Sequence, residues 1–403
     1  MEYINQKQRN SKKAYAFFIA MIPIVMMYKT PFLKTGISTT LVAVTMLYAI
    51  LVILANLRTI KMSAVLPLII YCIYVIIRSD GNVTSILLCI AIIVHMLAFC
   101  CGVIDIWHIR KFVETISLIA AIAVMLQTVI YYIFKTHFQM IAFNLCIDDI
   151  YSYYKLITTG ISEGLYRPSA FFLEPSHLAQ YAAVGLSSCL LREKPKYIAG
   201  IIISVGIFLS TSGMGIILTF CIWGWYIILL VLQKQKGKQK VVTILLIIII
   251  AGITLLILSQ FTFFQTALSR ITGTGSGSAI WGRTLYWDYY IKPLKGKDLI
   301  WGMGYNALPE VYMTGFMETI FCYGIVGVVL LYTAVIVFII KGKGFASFIG
   351  IMYGGLLFIA NLTGFLSNIF FFGIICAWIY KARKKPKFNY NQNTTYLSGG
   401  LKL

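Results

Sequence analysis

The densest group of reactive side chains in this sequence lies between residues 166 and 177. It reads Tyr-Arg-Pro-Ser-Ala-Phe-Phe-Leu-Glu-Pro-Ser-His, so an arginine, a carboxylate and an imidazole fall within eleven positions. The guanidinium of Arg167 has the fork that suits phosphate oxygens, and Glu174 or His177 could accept a proton from a hydroxyl. The alternative is structural: Glu174 would cap a helix that begins near Pro175, and Arg167 would reach lipid headgroups. The residues alone leave both interpretations open.

A second group of polar and aromatic residues lies between 270 and 305. It contains Arg270, Trp281, Arg283, Asp288 and Tyr305. Aromatic rings beside arginine and aspartate suit sugar recognition, although an aromatic belt at a membrane interface would look the same. The Gly/Ser run 273–278 lacks the spacing of a nucleotide-binding P-loop, so it is interpreted as a hinge or a close backbone approach.

The elements that must position these groups are membrane-spanning helices. Of the 403 residues 60% are hydrophobic and 12% are charged, whereas soluble domains carry about 25% charged residues. The expected fold is therefore all-α: a polytopic transmembrane helix bundle of about twelve helices. Apolar runs of spanning length lie near 14–28, 37–57, 63–77, 84–104, 112–134, 177–191, 197–211, 213–232, 241–259, 314–340, 346–362 and 364–380. The first run has no small-residue cleavage site and is expected to be retained.

Lysine and arginine set the expected orientation. With the N-terminus inside, the inner segments hold 23 of the 34 Lys and Arg residues, so both termini are expected in the cytoplasm. Residues 1–380 then form one transmembrane domain and 381–403 a basic, polar cytoplasmic tail. Two long segments, about 135–176 and 260–312, lie outside as extracytoplasmic loops. The formal charge of +21 reflects this loop bias, so nucleic-acid binding is not expected.

Apart from His177 at the mouth of the sixth span, three residues with a carboxylate or an imidazole fall inside predicted spans. Glu318, in the tenth span, is costly in lipid unless it faces a polar cavity, and we expect it to share a cavity with Arg167 or Arg283. Glu114 is expected at the interface near an inner helix end, and His95 is expected to bond a neighbouring helix. The sequence has no CxxC, HxxxH or HExxH spacing, so no metal site is predicted.

The run 167–181 resembles a signature of bacterial polysaccharide polymerases, R-x-S-G-x-F-x-E-P-S-x-x-A, found in the Wzy-type O-antigen and capsule polymerases. Two further stretches, 209–215 and 300–327, are similar to patterns of the superfamily that also contains the O-antigen ligases. The resemblance covers about 160–330. Ligases carry a His-Asn pair shortly before the Gly-Ile-x-Gly of this helix, whereas 313–315 here reads Met-Thr-Gly, which favours a polymerase.

This resemblance implies a glycosyltransferase at the outer face of the bacterial cytoplasmic membrane. It would join oligosaccharide units carried on undecaprenyl diphosphate, without a metal, a nucleotide sugar or another cofactor. Its partners would be the lipid-linked oligosaccharide, membrane lipid and, as an open point, a protein that regulates chain length. The residues fit such a reaction with the following roles: Glu174 as base with His177 as second choice and Arg167 as a further catalytic residue; Arg167, Arg270 and Arg283 on the diphosphate; Tyr166, Trp281, Asp288, Tyr305 and Glu318 around the sugar.

Three other functions remain open. A flippase or another transporter would place polar groups near the membrane midplane, often around broken helices, whereas here they concentrate in the predicted outer segments. An O-antigen-type ligase shares nearly every feature and differs mainly by the missing histidine. A non-enzymatic scaffold would have no use for the outer arginines.

Overall fold

The computed structural model describes residues 2–25, 37–56, 62–102, 106–138, 166–232, 286–360 and 365–380, with Tyr28 and isolated positions within 140–146 and 241–269. Over this part of the chain the protein is helical, and an antiparallel bridge joins Tyr28 to Cys146. The helices are α1 (Glu2–Met21), α2 (Ile37–Ala55), α3 (Leu66–Ile77), α4 (Val83–Cys100), α5 (Ile106–Phe134), α6 (Pro175–Leu190), α7 (Tyr197–Leu209), α8 (Gly213–Leu232), α9 (Gly296–Trp301), α10 (Gly315–Ile359) and α11 (Phe365–Tyr380). A π-helical turn covers Trp287–Ile291 and a 3-10 turn Tyr305–Ala307.

The predicted all-α membrane bundle is confirmed. Four described helices are long and apolar enough to cross a membrane: Val83–Cys100, Ile106–Phe134, Gly213–Leu230 and Gly315–Ile359. Shorter apolar helices cover Thr40–Ala55, Leu66–Ile77, Tyr197–Leu209 and Asn368–Tyr380. The predicted span 241–259 is described only at scattered positions, which are helical, and the tail 381–403 lies outside the described residues. The first helix starts earlier than its apolar run, at Glu2, because the polar residues before that run are good helix formers.

The surface of the bundle suits lipid. One cluster of buried apolar residues extends from Tyr15 to Tyr380. Large apolar side chains also project outward from the helices, among them Leu47, Leu51, Ile77, Ile198 and Ile340. A protein surrounded by water rarely exposes so much contiguous apolar surface, so hydrocarbon is the natural solvent for these faces.

Helix α10 is a hairpin of two helical arms. Lys343 and Gly344 have φ values of 46° and 53°, and this pair of left-handed residues reverses the chain. At the other end of the arms, the amide of Gly315 donates to the carbonyl of Ala360 at 2.9 Å, so the arms run antiparallel. They correspond to the predicted tenth and eleventh spans, joined by the predicted turn 341–345.

The loops collect at two opposite ends of the bundle. One end, here called the site face, carries 78–82, 135–138, 166–174, 210–212 and 286–314. The other, the basic face, carries 62–65, 191–196 and 341–344. Contacts join the loops within each end: the Asn306 side-chain amide donates to the Asp80 carbonyl at 3.1 Å, and the Lys341 ammonium donates to the Ser63 carbonyl at 2.9 Å. The described parts of the segments predicted to be outer therefore share one end, and 192–196 and 341–344, predicted to be inner, share the other.

Close packing of α5 against α6 and α7 fixes the site face. Gly185 of α6 lies on Ser117, and Gly206 of α7 lies on Ala121, so tightly that a Cβ on either glycine would overlap its neighbour. Small residues at such crossings let helix backbones approach in membranes. The end of α5 is thereby held beside the start of α6.

A buried charge network lies at the basic face, where Glu114 was expected to be interfacial. Glu114 lies near the start of α5 at this end, and its side chain is buried between helices instead of facing the surroundings. Its carboxylate accepts hydrogen bonds from the Ser188 hydroxyl at 2.7 Å and from Arg192 at 3.2 Å, and it pairs with Lys196. Arg110 donates from Nε to the same Ser188 hydroxyl at 2.8 Å. The network ties the basic ends of α5, α6 and α7 together.

His95 joins two helices, as predicted. Its Nε2 lies 2.9 Å from the Thr45 hydroxyl of α2, and its Nδ1 lies 2.7 Å from the Ala91 carbonyl of α4. Both ring nitrogens therefore have protein partners within the bundle.

Candidate active site

Helix α6 begins at the glutamate of the predicted motif. Glu174 is the residue before the helix, with extended φ −132° and ψ 150°, and Pro175 occupies the first turn, where a missing N–H costs nothing. The Glu174 side chain makes no capping hydrogen bond; it accepts one from the Ser176 hydroxyl at 2.6 Å. The interpretation of Glu174 as a helix cap is therefore wrong. Its carboxylate sits at the positive end of the helix dipole.

Arg167 lies on the site face and is 9% exposed. A side chain that reached for lipid headgroups would keep its guanidinium at the surface, so the headgroup interpretation does not fit this burial. Charges interact more strongly where water is scarce. A buried guanidinium is consequently a stronger ligand for an anion than a solvated one.

Gln127, near the end of α5, holds the Arg167 segment in place. Its Oε1 accepts the amide N–H of Ala170 at 2.9 Å, and its Nε2 donates to the Phe138 carbonyl at 2.9 Å. Ala170 has φ 52°, a left-handed value that is costly for a residue with a side chain, and the polymerase signature carries glycine at this position. The segment is thus a tight turn anchored to α5, and it fixes Arg167 relative to α6.

Tyr166 lies in the wall behind Arg167. Its ring stacks on Tyr131 with centroids 4.3 Å apart and meets His137 edge-on at 5.3 Å. It is buried, and one ring face is covered by Tyr131. Its described contacts are those of a packing residue for the motif.

The turn between α7 and α8 lies against the start of α6. A Cβ on Gly215 would be 2.8 Å from the Ala179 methyl group, and the Gln180 amide lies 4.0 Å from the Met214 sulfur. His177 precedes Gln180 by three residues. Helix periodicity therefore places His177 on the same face of α6 as Gln180, which contacts the start of α8.

Tyr305 and Glu318 come together at the site face beside the α3–α4 turn. Burial raises the pKa of the Tyr305 hydroxyl, and the charge of Glu318 raises it further, while a hydrogen bond with Ser85 opposes these effects. The Thr314 side chain caps α10 by accepting the Met317 N–H at 3.4 Å, which puts Glu318 in the first turn. These residues form a polar patch made by α4, α10 and the loop before it.

The loop after α9 is locked to a break in α10. Gly324 has φ 65° and ψ −169°, which interrupts the helix and frees carbonyls on its preceding turn. Two of these carbonyls accept the amides of Met303 and Gly304 at 2.8 and 3.0 Å, and the Tyr74 hydroxyl donates to the carbonyl of Tyr323 at 2.9 Å. A broken helix at membrane depth needs such replacement bonds. The lock positions Tyr305 at the end of the loop.

Four predicted site residues remain. One lies on the surface, and the other three are outside the described residues. The Asp288 carboxylate is largely exposed and pairs with Lys292 at 2.7 Å, an arrangement typical of a surface ion pair. Arg270, Trp281 and Arg283 lie outside the described residues.

Two contributors to the site were missed in the sequence. Gln127 is a lone amide in an apolar run, and that contrast could have marked it, because polar side chains in lipid need partners. Thr211, in the turn against α6, lies in the stretch 209–215 that resembles the superfamily pattern, but the residue was not singled out, since threonine is common in apolar helices and turns.

The fold and the site define a helical membrane protein whose reactive groups gather at one end of the bundle. Comparison of the chain with protein-family models, with curated proteins and with solved structures found no match. The likeness to polysaccharide polymerases therefore depends on the residues of the motif and on their geometry.

Proposed function

We propose that this protein polymerises undecaprenyl-diphosphate-linked oligosaccharide units at the outer face of a bacterial cytoplasmic membrane. It would be a metal-independent glycosyltransferase with both termini in the cytoplasm. The observation that carries the proposal is the burial of Arg167 at the site face, next to a helix start where Glu174 is not used as a cap. An anion-binding group and a proton acceptor are thereby held by the same short segment.

The proposed reaction exchanges one bond of the anomeric carbon for another. The bond from this carbon to the donor diphosphate breaks, and a bond to the acceptor hydroxyl oxygen forms. The acceptor proton passes to Glu174, or to His177 as the second choice. The electron pair of the broken bond leaves with undecaprenyl diphosphate, whose charge Arg167 stabilises in a setting of low polarity. The reaction balances without a redox partner or a nucleotide.

The charge distribution supports an outer location for the site face. The segments predicted to be inner hold 23 of the 34 Lys and Arg residues, and Arg110, Arg192, Lys196 and Lys341 among them lie at the end opposite the site face. Lysine and arginine favour the cytoplasmic side. A lipid-linked substrate delivered outside the cell would then meet the end of the bundle that holds Arg167.

A transporter is the second candidate, because α10 is interrupted at Gly324 and broken helices mark many transport sites. Two features favour the enzyme. The carbonyls released by the break are bonded by Met303, Gly304 and Tyr74 instead of facing a substrate path. The break also lies in the first third of its arm, near the site face, and away from the middle of the helix.

The test is complementation of a strain that lacks the gene. We expect Arg167→Ala to abolish polymer and leave single-unit product outside, and Glu174→Gln to shorten or abolish it, since removing one transition-state contact costs about 10²–10³ in rate. Arg167→Lys should restore little, because an ammonium lacks the fork. Lys295→Ala and Glu310→Gln remove exposed charges on the same face and serve as matched controls.

Two results would contradict the proposed enzymatic function. One is normal polymer length and yield with both Arg167→Ala and Glu174→Gln at wild-type protein levels. The other is accumulation of lipid-linked units on the inner leaflet of the deletion strain, which would identify a transporter instead.

A further inference from the structure

Thr211, between α7 and α8, holds a backbone conformation that suits glycine. Its φ is 54°, and a β-branched residue in the left-handed region is a genuine outlier. Glycine adopts this conformation without steric conflict. Backbone conformation alone would favour glycine here, so the reason for a threonine must lie in its side chain.

The hydroxyl of Thr211 has no hydrogen-bond partner among the described residues. The residue is 3% exposed and its Oγ1 is buried. Its neighbours are satisfied: the Ser210 hydroxyl donates to the Ile207 carbonyl at 2.7 Å, and the Ser212 hydroxyl accepts the amide of Gly215 at 3.3 Å. Buried polar groups in proteins are nearly always hydrogen-bonded. The Thr211 hydroxyl is therefore unusual, and it differs from the bonded hydroxyls of Ser210 and Ser212 on either side.

A second buried polar atom lies in the first turn of α6, the helix whose start packs against the start of α8. The Nδ1 atom of His177 is buried and has no hydrogen-bond partner among the described residues. His177 lies on the face of α6 that carries Gln180, which contacts Met214 at the start of α8. A helical side chain leans towards the N-terminus of its helix, and His177 lies in the first turn of α6, the end that borders the turn at 210–212.

We propose that Thr211 and His177 bind a hydroxyl group of the acceptor sugar in a subsite between α6 and the α7–α8 turn. This inference rests on the proposed function. A sugar hydroxyl donates one hydrogen bond and accepts others, so it can donate to Nδ1 of His177 while it accepts from Thr211. The turn from 205 to 215 contains no lysine or arginine, so it suits an uncharged ligand, whereas the diphosphate belongs to Arg167.

Two substitutions at Thr211 distinguish the effect of its hydroxyl from the effect of its backbone conformation. Thr211→Gly removes the hydroxyl and relieves the left-handed strain, whereas Thr211→Ser keeps the hydroxyl and loses only the methyl group. A purely structural role makes glycine at least as good as threonine. A binding role makes serine adequate and glycine defective.

The experiment uses the purified full-length protein in detergent and lipid-linked repeat units isolated from a polymerase-deficient strain. The readouts are chain formation at varied concentrations of the units and the thermal unfolding midpoint with and without them. We expect Thr211→Gly to unfold at or above the wild-type midpoint and to raise KM for the units about three- to tenfold, the value of one lost neutral hydrogen bond. Thr211→Ser should stay within about twofold of wild type.

The failures are distinguishable. If the wild type forms polymer and Thr211→Gly has the wild-type KM, or if Thr211→Ser is as defective as Thr211→Gly, the subsite is refuted and the proposed function stands. If the folded wild type neither forms polymer nor is stabilised by the lipid-linked units, the proposed function fails and the subsite fails with it.

Discussion

Gly324 is the residue on which the lock between the α9 loop and α10 depends, and we expect Gly324→Ala to open it. With φ 65° and ψ −169°, the residue occupies a region of backbone space that is essentially reserved for glycine. A Cβ at this position would lie 2.6 Å from the amide nitrogen of Gly302 and would overlap the carbonyl of Ile300. Both groups are backbone, so neither can move aside without moving the loop.

The cost has two sources. Forcing a side chain into this conformation costs about 1–3 kcal/mol. Displacing the loop also loses the hydrogen bonds that Met303 and Gly304 make to α10, each with a net contribution of about 1 kcal/mol. The combined loss of about 3–5 kcal/mol is a large part of the 5–15 kcal/mol that typically separates folded from unfolded protein. Because Tyr305 follows this loop directly, the polar patch with Glu318 should lose its geometry as well.

The assay is thermal unfolding of the purified protein in detergent, with amide hydrogen exchange at Met303 and Gly304. The matched control is Gly355→Ala in the second arm of α10, where a Cβ meets nothing within 4 Å and an alanine should stabilise the helix by up to about 1 kcal/mol. We expect Gly324→Ala to lower the midpoint by several degrees and to speed exchange at both amides. Equal midpoints and equal exchange in the two variants would refute the reasoning.

Three further predictions concern the supports of the site. Ala170→Val should destabilise the protein by about 1–3 kcal/mol through its left-handed φ, whereas Ala170→Gly should keep polymer yield in the complementation assay. Gln127→Leu leaves the buried amide of Ala170 and the part-buried carbonyl of Phe138 without their partner. The loss at the buried amide is about 1–3 kcal/mol, so thermal unfolding should come earlier and polymer yield should fall. Glu114→Gln should cost about 1–3 kcal/mol, limited because Lys196 is half exposed and screened; Glu193→Gln, an exposed neighbour, should unfold at the wild-type midpoint.

The spans were predictable from sequence because lipid imposes a length and an apolar composition on each helix. Even the short separators were informative: the turn 341–345 marks the hairpin of α10, and 210–212 marks the turn before α8. The interruption at Gly324 was not predictable, because a glycine inside an apolar run is ordinary in membrane helices. What distinguishes it is the loop that replaces its hydrogen bonds, and that loop lies about 20 residues earlier in the chain.

The reactive motif was predictable as a set of residue types, but the state of each residue was not. Burial of Arg167 depends on the turn that Gln127 anchors from α5, which is a contact across forty residues. The carboxylate of Glu174 was equally compatible with capping until the Ser176 bond was seen. Hydrogen bonding at helix starts has several local solutions, and sequence spacing does not choose among them.

Backbone strain points to the site face as the location of the functional site, independently of any sequence motif. Five described non-glycine residues have positive φ: Asp80, Lys135, Ala170, Thr211 and Lys343. Asp80 belongs to a residue type that tolerates this region, Lys135 directly follows α5 where left-handed residues commonly end helices, and Lys343 forms the hairpin turn of α10. Ala170 and Thr211 have no such explanation, and they are the two whose turns border the start of α6. Strain of this kind persists where the surrounding structure requires a particular side-chain arrangement, and it concentrates at functional sites. Its position at α6 therefore supports the assignment of Arg167, Glu174 and His177 as the working end of the molecule.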